Sequence, residues 1–139
     1  MLSSRHPIAT VAAAFAALAL SGATAQTAPP AATAKPVLTQ SLPDISGKEV
    51  LMLTVEYPPG GTSPAHRHNA NTFVYVLEGS IVMAVAGGKE VTLTPGQTFY
   101  ESPTDVHSVS RNASTTQKAK FLVFMVKTQG APATVPATQ

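Results

Sequence analysis

The chain has 139 residues, a net charge of +2 and no cysteine, and 44% of its residues are hydrophobic. The lack of cysteine excludes disulfides and thiolate ligands, so a metal site would have to use histidine, carboxylate, methionine or backbone atoms. Without Arg5 the chain has eight basic and seven acidic side chains, and the basic ones do not cluster. This excludes a polyanion-binding surface and predicts no nucleic-acid partner.

The first 25 residues have the three parts of a secretory signal peptide. Arg5 precedes an apolar run at 8–20, and the tripeptide Ala23-Thr24-Ala25 follows it. The apolar run is well short of the roughly 20 residues that a membrane-spanning helix needs. We therefore expect cleavage after Ala25, a periplasmic or secreted protein, and no membrane insertion after cleavage.

The rest of the chain divides into one domain and two polar ends. Segment 26–36 is Ala, Thr, Pro and Gln with a single charge, and segment 130–139 has a similar composition. Neither segment carries enough apolar side chains to form a core, so we predict a disordered leader and a disordered tail. The compact domain is expected at 37–129.

Within this domain, short β-rich runs alternate with Gly and Pro turns. Gly87-Gly88 and Pro95-Gly96 are strong turn signals, and no stretch has a helical period. Strands are predicted at 50–57, 73–77, 80–86, 90–94, 98–101, 106–111 and 119–127. This spacing predicts an all-β sandwich or closed barrel.

Three histidines remain after the signal peptide, and two of them form a His-x-His pair. On a strand, His66 and His68 lie on the same face about 6.5 Å apart, and Arg67 points to the other face. The pair alone is a weak signal, because scattered surface histidines produce it by chance. The third histidine, His107, is on a predicted strand that an antiparallel neighbour could bring to the first two. Three imidazoles on one ion leave positions open for water or substrate.

The spacing of these residues resembles the two motifs of the cupin superfamily, in particular the small single-domain type-2 cupins. In the first motif, Gly60 is followed at the family's intervals by His66, His68, position 72 and Gly79. In the second motif, Gly96 is followed by a Ser-Pro-Thr turn and then by His107. Asn112 lies one residue after the position at which the motif has an asparagine. The resemblance covers about 50–126. It implies a single antiparallel double-stranded β-helix, the cupin jelly-roll barrel, with His66, His68 and His107 as ligands.

One departure from the motif affects the implied metal site. Cupins commonly have a glutamate as fourth ligand where this chain has Thr72. A three-histidine site, as in thiol dioxygenases of this superfamily, would survive the change. It would hold one divalent first-row transition metal, namely Fe, Mn, Ni, Cu or Zn. Alternatively, the barrel binds an organic ligand without metal.

A replacement carboxylate is available close to His107. If Tyr100 faces outward, Glu101 faces inward and is a candidate ligand, a partner of a ligand, or a general base; the alternative is a solvated residue at the rim. Strand alternation also predicts a substrate pocket, with core packing as the alternative for most of its members. Its predicted lining is Thr72, Tyr75, Met83, Phe99, Phe121 and Met125.

The sequence leaves three classes of function open. The first is an enzyme in which the ion activates O2 or polarises a small molecule, by dioxygenase or isomerase-like chemistry, while Glu101 moves protons. The second is a non-catalytic barrel that binds a small molecule or a metal. The third, a purely structural role, is disfavoured by the three retained histidines. A homodimer formed through edge strands is expected in each case.

Overall fold

The computed structural model describes residues 28–137, so the predicted signal peptide lies outside the described part. In residues 28–137 the regular elements are all strands. They are β1 (Thr33–Ser41), β2 (Lys48–Tyr57), β3 (Thr62–Ser63), β4 (His66–Arg67), β5 (Asn71–Glu78), β6 (Ile81–Val85), β7 (Val91–Leu93), β8 (Thr98–Glu101), β9 (His107–Asn112), β10 (Ala119–Thr128) and β11 (Val135–Pro136).

The strands form two sheets whose inner faces enclose the core. One sheet has the order β1-β2-β10-β5-β8, and the other has the order β11-β4-β9-β6-β7, with β3 also paired to β9. Every pairing between these strands is antiparallel. The predicted all-β double-stranded β-helix is confirmed.

Side-chain alternation explains which residues enter the core. Along β10 the buried positions are every second residue from Ala119 through Phe121 and Val123 to Met125, as the period of two requires. Strand β5 alternates in the same way, with Val74 buried. The seven strands predicted from the sequence correspond to β2 and β5–β10, within a few residues at each end.

Two strands correct the predicted bounds of the domain. β1 begins at Thr33, inside the segment predicted as a disordered leader, and pairs with β2 from Thr33–Glu56 to Ser41–Glu49. β11 lies inside the predicted disordered tail and pairs with β4. Every residue of β1 is exposed, so backbone hydrogen bonds rather than apolar burial hold it in place. Composition therefore gave no sign of either strand.

A buried ion pair holds the start of the C-terminal segment against the domain. Lys127, which is 4% exposed, donates hydrogen bonds to the Glu49 carboxylate and to the Ala131 carbonyl. The hydrogen bond from Lys127 lowers the pKa of Glu49 below its usual value. This contact directs the segment after β10 back along the domain toward β4.

No helix in the described range 28–137 is long and apolar enough to cross a membrane.

Candidate metal centre

The three histidines converge because β4 and β9 are paired. His66 on β4 and His107 on β9 are direct cross-strand partners, and His68 follows β4 immediately. One ring nitrogen from each of the three lies within 4.8 Å of the others. Arg67 points elsewhere and donates a hydrogen bond to the Thr104 carbonyl. The strand pairing thus brings all three predicted ligands to one point inside the fold.

Two backbone carbonyls orient the rings of the His-x-His pair. The Nδ1 of His66 lies 2.8 Å from the Pro64 carbonyl oxygen, and the Nδ1 of His68 lies 2.8 Å from that of Ala133. A carbonyl only accepts, so each Nδ1 carries the proton and donates it. When both rings are neutral, their Nε2 atoms present lone pairs, and these atoms are only 3.2 Å apart. A cation between them would relieve this repulsion.

His107 and Glu101 add buried polar atoms without partners. His107 is 3% exposed and Glu101 is 2% exposed. Among residues 28–137, neither ring nitrogen of His107 nor the Oε1 of Glu101 has a hydrogen-bond partner. The Oε1 of Glu101 lies 3.2 Å from the Nδ1 of His107, and its Oε2 lies 3.7 Å from the Nε2 of His68. Buried polar atoms are normally paired, so these atoms mark a place where a ligand belongs.

Burial also sets the protonation states in the metal-free site. Desolvation lowers the pKa of His68 to about 4 and that of His107 to about 3, with further lowering by the neighbouring histidines. Desolvation, followed by the charge of Asp105, raises the pKa of Glu101 to about 7. His68 and His107 are therefore neutral at neutral pH, which is the form that binds a metal ion. The residues present fit a divalent transition metal.

The histidines open into a cavity of about 570 Å³ with largely apolar walls. Three of the predicted pocket residues line it, namely Met83, Phe121 and Met125. Thr72 is fully buried beside this cavity, between its cross-strand partners Met125 and Glu101, and is not part of the lining.

The other two predicted pocket residues lie elsewhere. Tyr75 is 45% exposed on the outer face of β5, because the inward positions of this strand are Thr72 and Val74. Its assignment to the pocket is corrected. Phe99 is partly buried against the core, with its ring 6.2 Å from that of His107, but it does not line the cavity.

Sequence reasoning missed two parts of the site. The hydroxyl of Tyr57 lies 2.7 Å from the Oγ atoms of both Ser63 and Ser110, and all three residues line the cavity. Burial raises the pKa of Tyr57, so its hydroxyl stays protonated. The alternation of β2 could have shown that Tyr57 faces inward. The Ala133 carbonyl that orients His68 is in the segment predicted as a disordered tail, and no sequence signal marks it.

The comparisons with known proteins agree on the fold. A family model described as a cupin domain matches residues 53–125. No curated protein matches the chain. Among solved structures, a cupin domain from Bordetella pertussis Tohama I is 22% identical, with 73% of this chain and 99% of that chain covered and a TM-score of 0.56.

Two further structures show the same likeness. An uncharacterised conserved protein with a double-stranded β-helix domain from Klebsiella pneumoniae subsp. pneumoniae MGH 78578 is 15% identical, with 76% of this chain and 85% of that chain covered and a TM-score of 0.59. The DMSP lyase DddQ from Ruegeria pomeroyi DSS-3 is 22% identical, with a TM-score of 0.56. The match to the lyase covers 63% of this chain and 43% of the lyase. At these identities the likenesses show the fold alone.

The matched family segment makes up just over half of the chain and contains the three histidines and Glu101. The chain belongs to the cupin family.

Proposed function

We propose that this protein is an exported cupin that binds one divalent first-row transition metal at His66, His68 and His107 and acts on a small molecule. The observation that supports this most is the pair of Nε2 atoms 3.2 Å apart, whose lone pairs face each other because both Nδ1 atoms donate to carbonyls. Imidazole nitrogen is a suitable ligand for Fe, Mn, Ni, Cu and Zn, so the ligand set does not select one of them.

The ion, when bound, would supply Lewis-acid polarisation or oxygen activation, as in dioxygenase or isomerase-like chemistry. The chain itself supplies a pocket for the small molecule. Leu53, Val123 and the other apolar wall residues give the volume beside the histidines a largely apolar lining. The hydroxyls of Tyr57, Ser63 and Ser110 contact one another on the cavity wall and form a polar patch that can hydrogen-bond to a polar group of the bound molecule.

A non-catalytic binding barrel is the second candidate. The large share of apolar residues in the cavity lining favours it, because an apolar cavity of about 570 Å³ can hold a small organic molecule without a metal. This candidate requires ligand binding to survive treatment with a chelator, whereas the metalloenzyme requires the ion for turnover.

We expect the purified, untagged protein to contain about one equivalent of a first-row metal, as a single mononuclear site requires. Replacement of His66, His68 and His107 with Ala will abolish this metal content, because the ligand nitrogens are removed. Elemental analysis by plasma mass spectrometry measures both proteins. Arg67→Ala is the matched control, because Arg67 lies between two of the ligands in sequence but points away from them. Absence of metal from the native protein, even after incubation with Fe, Mn, Ni, Cu and Zn, would leave the binding barrel as the better account.

Export and dimer formation complete the proposal. The signal-peptide pattern at 1–25 supports export. β8 is the last strand of its sheet, and the exposed rings of Phe73 and Tyr100 beside this edge support a homodimer. Native mass spectrometry of the protein recovered from a bacterial periplasm tests both. We expect a subunit that starts at Gln26 and a complex of two subunits; an uncleaved chain contradicts export, and a monomer contradicts the dimer.

A further inference from the structure

We propose that Glu101 is a fourth protein ligand of the metal, which makes this a site of three histidines and one carboxylate delivered from β8. This inference rests on the proposed function, since it concerns the same ion. In cupins the glutamate expected by the motif would stand at position 72, where this chain has Thr72. In this chain the carboxylate ligand would come from β8 instead of β5.

The positions of the atoms support direct coordination. Two ligand atoms that are each about 2.1 Å from one ion lie roughly 3.0–3.4 Å apart at octahedral to tetrahedral angles. The Nε2 atoms of His66 and His68 are 3.2 Å apart, and the Oε1 of Glu101 is 3.2 Å from the Nδ1 of His107. The Oε2 of Glu101 is 3.7 Å from the Nε2 of His68. The distance to His107 falls within this range and the distance to His68 lies slightly beyond it, so the carboxylate stands beside the histidines where a small side-chain movement would complete the ligand set.

Among the described residues, Glu101 lacks the cationic partner that a buried carboxylate normally has. Within residues 28–137 it forms no ion pair with a lysine or arginine, and the titratable groups within 4 Å of its carboxylate are His68 and His107, which are neutral at neutral pH. It makes no aligned hydrogen bond to His107, so it does not serve to orient that ring. A buried carboxylate without a counter-ion is costly, and a divalent cation would compensate for this cost.

The register of the sheet explains how a carboxylate on β8 can take the place of one on β5. Thr72 on β5 and Glu101 on β8 are direct cross-strand partners, and both side chains point into the fold. Side chains at such paired positions are about 5 Å apart at their Cβ atoms, so a carboxylate on either strand can reach the same space. Thr72 has a shorter side chain than glutamate, and its hydroxyl has no hydrogen-bond partner among the described residues. Glu101 can therefore occupy the space that a glutamate at position 72 would fill.

Metal affinity of three variants tests the proposal. Glu101→Gln keeps the size of the side chain but removes the anionic ligand. We expect it to weaken Mn²⁺ or Co²⁺ binding by more than about 100-fold in competition with a chromophoric chelator, because losing a partner that only orients a ligand costs roughly 10- to 100-fold. The double variant Thr72→Glu/Glu101→Thr returns the carboxylate to β5 and should recover affinity to within about 10-fold of the native protein. Glu78→Gln, on the exposed end of β5, is the control.

The Co²⁺ absorption spectrum gives a second readout, because loss of a carboxylate ligand changes the d–d bands, whereas loss of a more distant contact does not. A loss of affinity of about 100-fold or less together with an unchanged spectrum in Glu101→Gln would overturn the inference and leave the three-histidine site intact. Absence of metal binding in the native protein would instead overturn the proposed function and this inference together. If circular dichroism shows that the double variant is unfolded, the affinity and spectrum of Glu101→Gln alone test the inference.

Discussion

Glu101→Gln will make the metal-free protein more stable than the native chain at pH 8, and this gain will disappear toward pH 4. Burial raises the pKa of Glu101 from its ordinary 4.5 to about 7. A raised carboxyl pKa means that the folded protein holds the proton more tightly than the unfolded chain, so the stabilising effect is complete below pH 4.5 and is lost as the pH rises through 7. Above that pH the folded protein must bury a charge. Gln carries no charge at any pH and avoids this cost.

At pH 8 the free energy of unfolding of Glu101→Gln should exceed that of the native chain by roughly 3 kcal/mol more than it does at pH 4. This value follows from the size of the pKa shift of Glu101. Urea unfolding of chelator-treated proteins at pH 4, 6 and 8 measures it. The lowered pKa values of His68 and His107 act in the opposite direction, since they reduce stability as the pH falls below 6.5, but both proteins share this effect. A stability difference that does not change with pH would show that the pKa of Glu101 is the same in the metal-free fold as in the unfolded chain, and would contradict the predicted shift.

Gly79→Ala will destabilise the protein by about 3 kcal/mol or more, because backbone occupies the space where a Cβ would stand. Gly79 has a φ of +69°, a conformation that side chains disfavour. An added Cβ would clash with the carbonyl oxygen of Lys118 and lie 2.9 Å from the Cα of Ala119. Relief of the clash would shift the start of β10, whose inward residue Phe121 lines the cavity. Thermal and urea unfolding measure the loss.

Gly87→Ala is the matched control for this prediction. Gly87 also has a positive φ, of +79°, but nothing lies within 4 Å of the position of an added Cβ. We expect it to cost only the conformational strain, about 1–2 kcal/mol. Equal losses of stability in the two variants would mean that the positive φ alone explains the effect of Gly79→Ala. The turn before β6 would then have room for a side chain next to β10.

The sequence by itself determined the strands that bury apolar side chains and the candidate ligands. A β-rich run bounded by Gly and Pro turns is a local property, so β2, β5 and β10 were visible without any knowledge of their partners. The His66-Arg67-His68 pattern is local in the same sense. The loss of the motif glutamate at Thr72 could also be seen directly, and it raised the question of a replacement.

Only the tertiary structure decided what depends on long-range pairing. β1 and β11 pair through backbone hydrogen bonds with partners distant in sequence, and backbone groups are nearly the same for every residue type. For the same reason the Ala133 carbonyl that orients His68 left no trace in the sequence. Alternation within β5 did not reveal which of its two faces is inside, so Tyr75 was assigned to the wrong one. The position of Glu101 opposite Thr72 follows from the register of β5 and β8, which the packing of two whole sheets determines.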